Sequence, residues 1–282
     1  METHTHMHDA WAKFAKQPDG RIDLFEGALL VARDEYPELD EAYYRAVIDE
    51  HERTLRSRIA ADADEQARLA AVNHYLFDEL GFSGNNDAFY DPRNSYINDV
   101  LERRLGIPLS LGLVQMELAR RLGVPLEGVS FPGHFLVRLP VAGGLLVLDP
   151  YHRGRSIDAQ ELKERAKAHL GNMDLDDAQL LSILEPASHR SILLRMLRNL
   201  KSLYAEQEVW EKALRSADRL VQLAPGQPNE LRDRGELYLR IGHLAAARRD
   251  LGRYLELSPD APDAERIRDE LIDAGGATPR FH

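Results

Sequence analysis

The chain has 282 residues, a formal net charge of −11 and no cysteine. Its balance of apolar and charged residues is that of a soluble globular protein, long enough for about two domains. The missing cysteine excludes disulfides, cysteine-ligated metals and any thiol nucleophile, and the acidic surplus argues against a nucleic-acid partner.

The N-terminal METHTHMHDAWAKF has neither the apolar run nor the cleavage site of a secretory signal. No stretch approaches the roughly 18 consecutive apolar residues that a membrane span needs. The expected location is therefore cytoplasmic, with no membrane partner. Residues 1–20 are expected to be a flexible tail. His4, His6 and His8 alternate within it, so an extended tail would present all three on one side, where they could catch a transition metal. They are read as incidental, and no metal or cofactor is expected elsewhere.

Residues 21–187 form the first expected domain. Leu24, Ala28, Leu29 and Ala32 make an apolar helical stripe that Pro37 ends. Further helices are expected from Asp40 to Ile59 and from Glu65 to Leu80, the latter stopped by Gly81. GFSGNNDAFYDPRN is loop chemistry, in which Asp91, Asn94 and Tyr96 would lock the backbone. Asn94 could also cap a helix over Ser95–Leu105. Pro108 and Ser110 then open an apolar helix, Leu111–Leu122, ending at Gly123. Short strands follow at Leu126–Phe131, His134–Leu139 and Leu145–Leu148, the last two joined by a turn at Ala142-Gly143-Gly144 as an antiparallel hairpin. In such a hairpin His134, at the start of one strand, neighbours Asp149, at the end of the next. A carboxylate there would orient the imidazole, and Ser110 at a helix start is a candidate nucleophile or a plain helix cap.

Residues 188–282 are helical and repeat. Leu223-Ala224-Pro225 and Leu257-Ser258-Pro259 are 34 residues apart, and the same shift superposes Leu197 on Leu231, Tyr204 on Tyr238, Ala213 on Ala247 and Leu220 on Tyr254. That period, with small residues at the helix crossing and Pro after the second helix, is the tetratricopeptide pattern. Repeats are placed at about 194–227 and 228–261, with a capping helix at 263–274. Two repeats are fewer than usually stand alone, so preceding helices or a second copy of the chain should complete the stack. Arg198 and Asn199, at the junction, are candidates for docking the repeats onto the middle domain.

The stretches YDPRNSYINDVLERRLGIPLSL, ARRLGVPLEGVSFPGHFLVR, LLVLDPYHRG and ILLRMLRNLKSLY resemble the transglutaminase-like superfamily, and within it the bacterial SirB-type proteins, in which such a domain precedes tetratricopeptide repeats. The resemblance implies an α+β, mostly helical fold: a papain-like core with a small antiparallel sheet, followed by an α-solenoid. It also implies that His134 and Asp149 match the superfamily's catalytic His and Asp. The position of the catalytic Cys falls at or near Ser110, and this chain has no Cys to place there. The expected function is accordingly that of a regulatory interaction protein with a non-catalytic transglutaminase-like domain, its repeats binding a protein or peptide. The alternative is a hydrolase or acyltransferase using Ser110, His134 and Asp149.

Overall fold

The computed structural model describes residues 10–276. Gln17–Leu193 forms one compact unit; the segment up to Lys16 and the residues from Leu194 onward form the other.

In the first unit, helices α2 (Leu24–Glu35), α3 (Glu41–Arg58) and α4 (Glu65–Asn73) are each opened by an Asp side chain accepting backbone N–H groups: Asp23, Asp40 and Asp64. The third predicted helix does continue beyond α4, but as a π-helical turn, His74–Glu79. Helix α5 (Ile97–Arg103) is shorter than expected, because Asn94 is drawn into a 3₁₀ turn at Pro92–Asn94 and does not cap it. Two short strands absent from the sequence reading, β1 (Ser83–Gly84) and β2 (Leu105–Gly106), pair in parallel. Helix α6 (Pro108–Arg121) is buried continuously from Pro108 to Ala119, which explains its nearly unbroken apolar sequence.

The main sheet is β3 (Glu127–Val129), β4 (Leu136–Val141), β5 (Gly144–Asp149) and β6 (Arg155–Ser156), antiparallel throughout and in chain order. The β4–β5 hairpin turns at Ala142-Gly143, with Val141 opposite Gly144 and Gly143 at φ 86°. Leu136 and Val147 point to one face, where they pack with Leu162 and Ala166 of α7 (Ala159–Lys167) and Leu180 of α8 (Asp177–Ile183). Val137, Leu139 and Leu148 are buried on the other face, on which α6 lies. Both faces are covered, so these strands carry apolar runs in place of a strict in–out alternation.

The second unit contains α9 (His189–Glu206) from Leu194 onward, then α10 (Trp210–Leu223), α11 (Pro228–Arg240), α12 (Leu244–Leu257) and α13 (Ala264–Gly276). Both ends of α12 fall 34 residues after those of α10, and the same backbone bond closes each helix: Ala224 N–H to Leu220 and Ser258 N–H to Tyr254. Ala213 and Ala247 are fully buried, and a side chain at Gly235 would collide with Leu251, so α11 and α12 meet backbone to backbone. Arg198 is engaged within this unit, its guanidinium donating to Glu230 of α11 at 2.7 Å, and Asn199 is exposed.

The expectation of a flexible tail over residues 1–20 is corrected from residue 10 onward. Residues 10–15 are helical (α1), and Trp11 and Phe14, three apart on one helical face, are buried with their rings edge to face at 6.0 Å. The Arg219 guanidinium lies 5.3 Å from the centre of the Trp11 ring. Part of the missing stacking partner for the short repeat array thus comes from the chain's own N-terminal region. His4, His6 and His8 lie outside the described residues.

Candidate functional site

Strand β5 delivers Asp149 to the sheet's end on the same face as Val147, the face covered by α7. Asp149 is fully buried, and its two oxygens are shared out among five donors. Oδ1 accepts from His134 Nε2 at 2.9 Å, from Tyr151 N at 3.0 Å and from His152 N at 3.4 Å. Oδ2 accepts from His152 Nδ1 at 2.7 Å and Arg165 Nη1 at 2.8 Å. Asp149 therefore also caps the 3₁₀ turn Pro150–His152. Burial pushes its carboxyl up, but the hydrogen bonds from His134, Arg165 and His152 outweigh that and hold it well below the usual carboxylate range. An ionised carboxylate only accepts, so His134 carries its proton on Nε2 and His152 on Nδ1. A neutral His134 then presents Nδ1 as its free basic nitrogen.

His134 precedes β4 by two residues, in a turn where Gly133 takes φ 67°. The turn is held by Phe135, which packs so tightly on α6 that any side chain at Gly112 would strike its ring. On the open side, Tyr151 stands edge-on to His134 at 6.2 Å and to Phe89 at 5.9 Å. The Tyr151 ring rests directly on Gly84, and its hydroxyl donates to Asn86 Oδ1 at 2.9 Å. Phe89 and Tyr90 are 42 % and 69 % exposed, so an aromatic rim borders the His–Asp pair.

Ser110 takes no part in this arrangement. It is fully buried; its hydroxyl donates to the Asn94 carbonyl at 2.6 Å and accepts from Ile107 N at 3.1 Å. Asn94 is in turn the keystone of the 85–94 loop. Its side-chain amide donates to Ala88 O at 2.7 Å, and its Oδ1 accepts from Asn85 Nδ2 at 3.0 Å. Ser110 thus ties the start of α6 to the loop that carries Asn86 and Phe89. Asp91 accepts from Arg93 N at 3.0 Å, and Tyr96 is buried against Tyr36, so both belong to this scaffold.

The sequence reading brought His134 and Asp149 together but missed Tyr151, His152 and Arg165. His152 had a local signal, the DPYH spacing that returns a side chain three residues after the carboxylate. Arg165 had none, because only the packing of α7 on the sheet brings it within reach.

Residues 42–198 match the transglutaminase-like superfamily. The chain belongs to that superfamily. Residues 200–271 of this transglutaminase-like chain match the tetratricopeptide repeat. It is 51 % identical to a UPF0162 protein of Xylella fastidiosa over 96 % of this chain and 97 % of that one. A UPF0162 protein of Pseudomonas aeruginosa is 35 % identical, over 91 % and 93 % of the two chains. Protein SirB1 of Salmonella typhimurium is 28 % identical, over 80 % and 84 %. The helical transglutaminase-like domain with its small sheet, followed by tetratricopeptide repeats, is the α+β organisation that the motifs implied. Among the described residues no helix is long and apolar enough to cross a membrane.

Proposed function

We propose that this transglutaminase-like chain is a regulatory interaction protein. Its transglutaminase-like domain performs no thiol- or serine-based acyl transfer, and its repeats bind a protein or peptide. One observation carries the reading: the Ser110 hydroxyl is buried and committed to Asn94 and Ile107, in a chain without cysteine. The His134–Asp149 pair is thus a base and its orienter with no nucleophile supplied at the expected position.

The binding half of the reading is supported by a groove of about 480 Å³ on the repeat unit, lined by Lys201, Trp210, Asp233, Glu236, Leu237 and Arg240. It offers an aromatic and an aliphatic anchor among charges of both signs. That suits a peptide with an apolar side chain flanked by charged residues.

The hydrolase alternative keeps one point in its favour, the intact His–Asp geometry, and the test addresses both readings. The full chain is treated with a fluorophosphonate probe beside Ser110→Ala and His134→Ala. In parallel, a partner is captured with wild type and with a Trp210→Ala/Arg240→Ala groove variant. We expect no labelling, and a partner retained by wild type and His134→Ala but lost from the groove variant. Labelling of wild type that vanishes in Ser110→Ala refutes the non-catalytic half. Capture unaffected by the groove substitutions refutes the binding half.

A further inference from the structure

We propose that His134, Asp149 and His152 form a binding site for a divalent transition metal of the zinc class. Ligand atoms from these three residues lie within 4.8 Å of one another. Zinc held at about 2.0–2.2 Å from each ligand needs each imidazole nitrogen slightly farther from the carboxylate oxygens than its present hydrogen bond, which ring rotation supplies, because the His152 side chain is 54 % exposed. Both imidazoles already turn a nitrogen toward the shared carboxylate, at 2.9 and 2.7 Å. On binding, each ring offers the metal the nitrogen that now faces the carboxylate and keeps a proton on its other nitrogen. The metal takes the place of two N–H donors.

The surroundings are those of a built site. The carboxylate is ionised, fully buried and fixed by the Tyr151 and His152 backbone N–H groups and by Arg165, contacts that persist once the imidazole protons are displaced. Arg165 also sets the selectivity. Its positive charge at Oδ2 opposes cations held by oxygen alone, so the site selects metals that bind imidazole strongly, such as Zn²⁺ or Co²⁺, over Mg²⁺ and Ca²⁺. Three protein ligands with one histidine open to solvent leave a coordination position for an outside group. The inference is independent of the interaction reading. Metal bound at His134 Nε2 breaks the His–Asp hydrogen bond, which gives the pair a use that needs no adjacent nucleophile.

The test uses the full-length chain carrying His4→Ala, His6→Ala and His8→Ala, which removes the competing N-terminal tract. Co²⁺ is titrated while its visible absorption is followed, and Zn²⁺ is then added in competition. We expect one site per chain, displaced by Zn²⁺ and not by excess Mg²⁺, and weakened at least about tenfold by His152→Ala and by His134→Ala. His152→Ala changes an exposed side chain, so its circular dichroism should match wild type and its loss of metal can be read directly. Absence of saturable binding in the N-terminally substituted chain overturns the proposal. So does binding that His152→Ala and His134→Ala both leave unchanged.

Discussion

Replacing Ser110 by Ala separates a structural hydroxyl from a catalytic one. The buried hydroxyl donates to Asn94 O at 2.6 Å, with Ile107 O a further acceptor at 3.2 Å, and accepts from Ile107 N at 3.1 Å. Each such bond contributes about 1 kcal/mol net, and loss of a helix-start oxygen costs about 0.5–2 kcal/mol. Ile107 N–H keeps a second acceptor, Asn94 O at 3.2 Å, so it is not orphaned. The expected cost is therefore about 1–2 kcal/mol. For a unit the size of Gln17–Leu193, where about 2–4 °C accompanies each kcal/mol, that lowers its unfolding midpoint by about 2–8 °C. Calorimetry of wild type and Ser110→Ala at equal concentration measures this, with Co²⁺ binding and partner capture run alongside and expected unchanged. An unaltered midpoint, together with loss of probe labelling present in wild type, would refute the reasoning, since it would mean the hydroxyl faces substrate and not Asn94.

Three further variants carry expected outcomes. Ser110→Cys, which restores a thiol at the expected position, should react with a thiol reagent only after denaturant is added, because that side chain is fully buried; rapid reaction in the native state counts against the assignment. Asp149→Asn should destabilise the transglutaminase-like unit by about 3 kcal/mol, the lower end for a broken buried pair because His152 and Arg165 are partly exposed. The Asp149 carboxyl is depressed below its ordinary value of 3.8 in the folded chain. Its contribution is therefore fully present above that value and is lost as pH falls through the lower folded one. The stability gap between wild type and Asp149→Asn should thus narrow from about pH 5 to about pH 2, and a gap that widens on acidification contradicts the sign. Trp11→Ala should destabilise the repeat unit by about 3–5 kcal/mol in urea unfolding followed by circular dichroism, as expected for a fully buried Trp. A change within about 0.5 kcal/mol would return α1 to the status of a tail.

Where periodicity is long and uninterrupted, sequence and structure agree closely. The 34-residue shift places the ends of α10 and α12 in matching positions, because each repeat must present the same small residues to the same crossing. The β4–β5 hairpin was legible for a related reason: a two-residue turn fixes register, and that register brings the end of β5, with Asp149, beside the start of β4, two residues after His134. Short elements were not legible. Two-residue strands such as β1 and β2 have no period to detect, and Asn94 carries the same side chain whether it caps a helix or knots a loop. Trp11 and Phe14 were overlooked because a helix of six residues near a terminus reads as tail until its rings are seen buried.

The sequence by itself determined the domain types, the repeat period, the His134–Asp149 pairing and the absence of a thiol, since each is a matter of residue identity or of spacing along one chain. The tertiary structure alone decided the fate of Ser110. A hydroxyl at a helix start has the same sequence whether it faces open space or its own scaffold, and it is the approach of the 85–94 loop that gives this one the Asn94 carbonyl as its acceptor. It likewise brought Arg165 and His152 onto Asp149 and turned a presumed dyad into a shared carboxylate with two imidazoles.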